Sequence, residues 1–171
     1  MGVVETLAAR NQRFVESEFD AGLRMKPKLA TIVICCADTR VDPAVVLGAA
    51  QGEIMAIRNI GGRVTPRTLD ELFMLRAIAQ AVDDDIDSTW ELVVMQHTQC
   101  GITRIESRPE LLAPYFEVPE DELGRVLVND PYGAVARDMS VLRADSRLEG
   151  AGVSGLVYDV ATGRVQAVAG R

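Results

Sequence analysis

Three short apolar runs constrain the fold of this chain more than any other feature. They are "LATIVICC" (29–36), "EIMAIRN" (53–59) and "WELVVMQ" (90–96). The first and third are continuous and rich in β-branched residues, as is typical of strands covered on both faces. Segments with helical signals separate the runs. This alternation predicts an α/β fold with a mostly parallel sheet.

Helix and turn signals complete the expected architecture. The segment 154–168 contains a Thr-Gly turn between two short apolar runs, which predicts a closing hairpin. We therefore expect a central, mostly parallel four-stranded sheet with an antiparallel edge strand, flanked by helices. No element is predicted with any strength over 103–130. Three further helices are predicted: Asp42-Pro43 to about Leu47, 68–82 with a capping box from Thr68 to Glu71, and Asp130-Pro131 to about Leu142.

Length and composition limit the class of protein. A chain of 171 residues predicts a single domain over 1–171. An apolar stripe predicts an N-terminal helical arm over about 3–19. The net charge of −7 argues against nucleic acid and anionic membranes as partners. We find no apolar run long enough for a membrane span and no secretory signal. The lack of a secretory signal and the odd number of cysteines, three, together predict a reduced cytoplasmic protein.

Two predicted strand ends carry the residues that bear chemistry. The first run ends in Cys36, with Asp38 and Arg40 just beyond it, and the third is followed by His97 and Cys100. Ligands collect at the carboxyl ends of parallel strands, so these side chains are expected to meet if the two strands are neighbours. Two thiolates and one imidazole form a ligand set for zinc that leaves a fourth tetrahedral position to fill.

Simpler interpretations exist for each of these residues. A lone cysteine at a strand end is often a small buried hydrophobe, and Cys35, on the opposite strand face, is expected to be one. His97 alone could be a structural histidine. The pair Asp38 and Arg40 could be an ordinary loop salt bridge. A Cys–His hydrolase is the competing enzyme class. The joint placement of both thiols and the only histidine favours a metal site.

These motifs resemble those of the β-class carbonic anhydrases. "CCADTRVDP" resembles the family's C-x-D-[ST]-R signature, and "HTQCG" resembles its H-x-x-C-G signature. "GEIMAIRNIGG" (52–62) and "GLVYDVATGRV" are similar to its Arg-Asn strand and its closing hairpin. The matches follow the family's order from about residue 29 to residue 168.

The resemblance implies an activity and a set of roles. Cys36, His97 and Cys100 would bind one Zn²⁺ per chain. Asp38 would be a conditional fourth ligand that can turn to Arg40 instead, so both are expected to be catalytic. Main-chain donors near Gly101 are expected to line the substrate pocket. The implied reaction is the reversible hydration of carbon dioxide to bicarbonate by zinc-bound hydroxide.

Three positions depart from the family pattern and keep alternatives open. Ala50 replaces a glutamine and Met55 a phenylalanine that line the substrate pocket in plant-type members, while Gln96 stands where many members have glycine. Carbonyl sulfide hydrolases resemble the same family, so carbonyl sulfide hydrolysis is the alternative activity. A non-catalytic, zinc-stabilised binding module is the second alternative. Because the family builds its pocket from two chains, self-association as a dimer or tetramer is expected.

Overall fold

The computed structural model describes residues 2–82, 86–87 and 89–169 and has an α/β fold. Within these residues, five strands form one sheet in the order β2-β1-β3-β4-β5. The first four are parallel, and β5 pairs antiparallel to β4. The predicted fold class is thereby confirmed. The strands are β1 (Thr31–Cys36), β2 (Met55–Asn59), β3 (Glu91–His97), β4 (Gly152–Asp159) and β5 (Arg164–Val168).

Proline opens most of the helices in the described part of the chain. Its missing N–H costs nothing at the first helical position, and an aspartate or threonine before it often caps the helix. The segment 103–130, for which no element was predicted, contains the helix Pro109–Phe116 and a 3₁₀ turn, Glu120–Arg125. The helices are α1 (Val3–Ser17), α2 (Pro43–Leu47), α3 (Pro66–Gln80), α4 (Pro109–Phe116) and α5 (Pro131–Ala144).

The start of α3 differs from the prediction. The helix begins at Pro66 and Thr65 is its N-cap, with Thr65 Oγ1 accepting a hydrogen bond from the Thr68 main-chain N–H at 3.3 Å. The capping box from Thr68 to Glu71 is therefore wrong. Thr68 is buried, and its hydroxyl donates to the carbonyl of Arg63 at 3.2 Å. A threonine side chain does cap this helix, but it is that of Thr65, three residues before Thr68.

The core lies on both faces of the central strands. Ile32 and Ile34 of β1 pack against α3 and α5 on one face, whereas Val33 and Cys35 form a smaller cluster on the other. This alternation explains why the apolar run is continuous: successive side chains enter different clusters. Gly155 of β4 lets α5 approach closely, because a Cβ there would lie 2.5 Å from the sulfur of Met139.

The N-terminal helix α1 contributes no residue to this core. Its 15 residues, Val3–Ser17, include none that is buried. Whether it belongs to a single domain of 1–171 as an arm remains a prediction. Among the described helices, none combines the length and the apolar character needed to cross a bilayer.

Candidate metal centre

The carboxyl ends of β1 and β3 meet at one edge of the sheet and bring three of the predicted residues together. Cys36 is the last residue of β1 and His97 the last of β3, and the two strands are parallel neighbours. Cys100 precedes the 3₁₀ turn Gly101–Ile105. One ligand atom from each of the three side chains lies within 4.8 Å of the others, and all three residues are buried. The two sulfur atoms are 3.7 Å apart.

His97 is oriented as a metal ligand would be. Its Nδ1 is 2.9 Å from the carbonyl oxygen of Thr98, which can only accept a hydrogen bond, so Nδ1 carries the proton. The lone pair therefore resides on Nε2. That atom is buried and has no hydrogen-bond partner among the described residues. A buried acceptor without a partner is costly, and a metal ion beside the two sulfurs would satisfy it. The residues thus fit a zinc ion.

The two candidate thiol ligands have opposite protonation preferences. The hydrogen bond from Cys100 lowers the pKa of Cys36, against the effect of burial, and the main-chain N–H groups of Asp38 and Gly61 lower it further. The same sulfur–sulfur contact, together with burial, raises the pKa of Cys100. One thiolate is therefore ready to bind a metal, and the second forms when its proton leaves on binding.

Cys35 behaves as the neighbouring core residue that was expected. It is 0% exposed and lies in the cluster on the opposite face of the sheet. Burial raises the pKa of its thiol to about 12. Adjacent cysteines therefore have different fates because successive side chains of a strand point to opposite faces.

Asp38 lies against Arg40 and is not part of the three-residue ligand group. Arg40 Nε donates to Asp38 Oδ1 at 3.0 Å, and Arg40 Nη2 donates to Oδ2 at 2.7 Å. This two-point contact lowers the pKa of the Asp38 carboxyl. The Arg40 guanidinium also donates to the Gln99 carbonyl at 3.1 Å, which ties the loop after β1 to the loop after β3.

Arg58 is a supporting residue to which the sequence analysis gave no role. It lies on β2 beside Cys35, and its guanidinium donates to the carbonyls of Cys36 at 3.1 Å and Asp38 at 2.8 Å. It also forms an ion pair with Asp42 at 2.8 Å. Arg58 thus braces the backbone that presents Cys36. The Arg-Asn pair within "GEIMAIRNIGG" was the available signal, but sequence does not reveal which carbonyls an arginine contacts.

Gly101 lies at the exposed start of the 3₁₀ turn that follows Cys100. A Cβ built on Gly101 would meet no atom within 4 Å, so open space adjoins its main chain. The turn itself is fixed, because the Thr103 hydroxyl donates to the Cys100 carbonyl at 2.7 Å. A small molecule could therefore approach the main chain here.

The fold and this buried group define a class of protein, namely α/β proteins with a candidate zinc centre at the carboxyl edge of a parallel sheet. Comparisons with known proteins name the family. The family model described as "Carbonic anhydrase" matches residues 31–117. β-Carbonic anhydrase 1 of Mycobacterium tuberculosis is 27% identical over 175 residues, covering 98% of this chain and 99% of the relative.

Solved structures agree with the family match. The crystal structure of carbonic anhydrase from Streptococcus mutans has a TM-score of 0.76 and 30% identity, covering 99% of each chain. The apo form of a carbon disulfide hydrolase has a TM-score of 0.59 and 20% identity, covering 97% of this chain and 91% of the other, which shows the shared fold alone. This chain belongs to the β-carbonic anhydrase family.

Proposed function

We propose that this protein is a zinc-dependent carbonic anhydrase that interconverts carbon dioxide and bicarbonate with one Zn²⁺ per chain. The observation that carries the proposal is the buried group of Cys36, His97 and Cys100, in which His97 Nε2 has no partner among the described residues. When bound, the zinc would supply the Lewis acidity that makes water a nucleophile near neutral pH.

The contact between Asp38 and Arg40 favours a catalytic zinc site over a closed, purely structural one. Arg40 holds both oxygens of the Asp38 carboxylate, so a zinc ion held by Cys36, His97 and Cys100 would keep a ligand position open for water. Asp38 stays ionised and can accept a hydrogen bond that orients this water. The main chain at Gly101 borders open space, and we expect a small linear substrate to approach there. His97 is the only histidine, so proton release must use water, buffer or a carboxylate.

The alternative activity is carbonyl sulfide hydrolysis at the same site. Ala50 and Met55 replace the pocket-lining residues that the β-class resemblance implies, and a structural neighbour of this chain hydrolyses carbon disulfide, a sulfur analogue of carbon dioxide. The metal ligands do not discriminate between these small electrophiles. The choice of substrate therefore depends on the lining of the pocket.

Parallel assays of one zinc-loaded preparation test these proposals. We expect carbon dioxide hydration, measured by stopped-flow pH change, to exceed carbonyl sulfide hydrolysis, measured by sulfide release. The reverse ranking would favour the alternative. Inactivity on both gases from pH 6.5 to 9, with one tightly bound zinc per chain, would favour a non-catalytic zinc-stabilised binding module instead.

Self-association through apolar surface is also proposed. β2 is at the edge of the sheet, and a groove of about 720 Å³ is bordered by Met55 of β2 and by Met74 and Ile78 of α3. On α1, Val4 is 75% exposed and Leu7 56%. Surface of this kind is typical of interfaces. We expect a dimer at least, and a tetramer if both surfaces are used.

A reducing compartment, the cytoplasm, is the proposed location. Cys36 and Cys100 are free thiols whose sulfur atoms are 3.7 Å apart. Oxidation of the pair would remove both sulfur ligands at once, so the proposed site requires reduced thiols.

A further inference from the structure

Gln96 is a buried amide directly before the candidate ligand His97, and the proposed function gives it no role. Its side chain is 0% exposed. Its Nε2 donates to the carbonyl of Gly61 at 3.1 Å and to the carbonyl of Gly62 at 2.6 Å. Its Oε1 is buried and accepts no hydrogen bond from the described residues. Both contacts of the Gln96 side chain are therefore made by its donor atom, Nε2. Leaving the acceptor Oε1 buried without a partner is unfavourable, so the contacts of Nε2 account for the presence of the amide.

The orientation of the amide follows from chemistry. Turning the group over would bring Gln96 Oε1 against two carbonyl oxygens, and none of the three atoms can donate. With Nε2 inward, both amide hydrogens have an acceptor. Gln96 therefore clamps two successive carbonyls of one turn.

The clamped turn lies directly against the candidate ligand Cys36. Gly62 has φ +62°, and a Cβ there would lie 2.7 Å from the main-chain nitrogen of Cys36. The carbonyl of Asn59, at the start of the turn, accepts from the Ala37 N–H at 2.8 Å. Any displacement of the turn would therefore shift the main chain that presents Cys36.

Other contacts hold the ends of the turn and leave its middle to Gln96. The Tyr115 hydroxyl donates to the carbonyl of Ile60 at 3.0 Å. The Asn59 side chain accepts from the Arg63 N–H at 3.1 Å and donates to the Arg63 carbonyl at 2.8 Å. These contacts close the turn but do not reach the carbonyls of Gly61 and Gly62.

We propose that Gln96 is a positioning residue for the metal centre: by clamping the Gly61–Gly62 turn against β1, it holds the main chain of Cys36 where the thiol can bind a metal. This inference rests on the proposed zinc function. Removing the donor should weaken metal binding even where the chain still folds.

The test replaces the amide by a side chain of similar size that cannot donate. Gln96→Met is the variant, and Met95→Leu, a buried change next to it on the opposite strand face, is the control. Zinc affinity is measured by competition with a chelator, and the thiolate-to-metal absorption is recorded after cobalt(II) substitution. We expect Gln96→Met to bind zinc about tenfold more weakly, as for other outer-shell partners, with altered cobalt absorption. Met95→Leu should retain the affinity of the parent.

The outcomes separate positioning from simple packing. Equal zinc affinity in Gln96→Met and the parent, with only a lower melting temperature of the metal-free protein, would overturn the inference and leave the zinc function intact. A parent that binds no zinc would overturn both. If Gln96→Met does not fold, hydrogen exchange of the parent decides. An Ala37 amide already protected without metal supports the clamp, because its N–H donates to the Asn59 carbonyl at the start of the turn. Protection that appears only after metal binding refutes it.

Discussion

The metal-site edge of the sheet and the N-terminal helix α1 differ in how far they are buried within the chain. At the sheet edge, Cys36, His97 and Cys100 are at most 5% exposed, and arginines, glycines and main-chain donors surround them. The helix α1 buries none of its residues within this chain. A single chain thus brings the three candidate ligands of the first region together, whereas the second exposes an apolar stripe that its own chain does not cover.

The difference indicates where each region obtains its stability. Desolvated polar groups at the sheet edge depend on nearby partners, except for His97 Nε2 and Gln96 Oε1, which have none among the described residues. This region therefore loses much stability when a partner is removed. The apolar stripe on α1 contributes little to the stability of a single chain. We expect it to contribute where it contacts a second copy. Changes at the first region should therefore alter metal binding and folding, and changes at the second should alter assembly.

The largest effect is expected from removing a candidate ligand. Cys36→Ser, His97→Ala and Cys100→Ser should each lose zinc and nearly all activity, because a three-point site rarely survives the loss of one ligand. Metal analysis after dialysis and carbon dioxide hydration are the measurements. Cys35→Ser is the matched control and should keep zinc, since its thiol lies on the other face of the sheet. Zinc lost from Cys35→Ser but kept by Cys36→Ser would contradict the assignment.

Next in size is the buried ion pair that anchors the chain after the Gly61–Gly62 turn. Arg63 Nη2 is 2.6 Å from Asp138 Oδ1, and both side chains are almost fully buried. Asp138→Ala should lower the free energy of unfolding by about 3–5 kcal/mol, because it leaves a buried charge without its partner. Urea denaturation measures this loss.

The control for that prediction is a surface pair. Glu122 forms an exposed i,i+3 ion pair with Arg125 at 3.2 Å, and Glu122→Ala should cost no more than about 1 kcal/mol. If Asp138→Ala cost no more than Glu122→Ala, the buried pair would not be an anchor of this edge.

A smaller effect, on turnover and not on folding, is expected at Arg40. Arg40→Ala should reduce carbon dioxide hydration about 10- to 100-fold, the range for outer-shell partners of a metal site, because Asp38 loses its alternative partner. Arg40→Lys should recover part of the activity, since a lysine cannot form the two-point contact. Zinc content should stay constant in both variants.

The pH dependence sharpens this prediction. Arg40 lowers the pKa of Asp38 below its ordinary value of 3.8. A carboxyl group whose pKa is lowered on folding stabilises the native state at any pH above its ordinary pKa. That stabilisation is lost only as the pH falls through the lower pKa of the folded state. The Asp38–Arg40 pair is therefore complete from pH 6.5 to 9. Turnover should rise over this range with ionisation of the reacting water, and an Arg40→Ala variant as active as the parent would refute the role of the pair.

Sequence predicted the fold class and the grouping of the three candidate ligands because both depend on local rules. Apolar runs of strand length fixed β1 and β3, and the order of elements fixed which ends share an edge. The start of α3 was wrong because Thr65 and Thr68 are equally good caps, and burial of Thr68 decided between them. The clamp by Gln96 was also not predictable, since a glutamine among apolar residues reveals nothing about the turn it contacts.

The smallest effect on the chain itself is expected on α1, where the comparison with the sheet edge predicts a change in assembly alone. Leu7 is 56% exposed, so Leu7→Glu should change the free energy of unfolding of a chain by no more than about 0.5 kcal/mol. It should nevertheless shift the mass measured by sedimentation at micromolar concentration toward the monomer, because it places a charge in the apolar stripe. Ala9→Glu adds the same charge two residues later, about 200° around the helix, and should leave the mass unchanged. If both variants sediment like the parent, the stripe on α1 is not an interface, and the groove beside β2 remains as the surface through which two copies would meet.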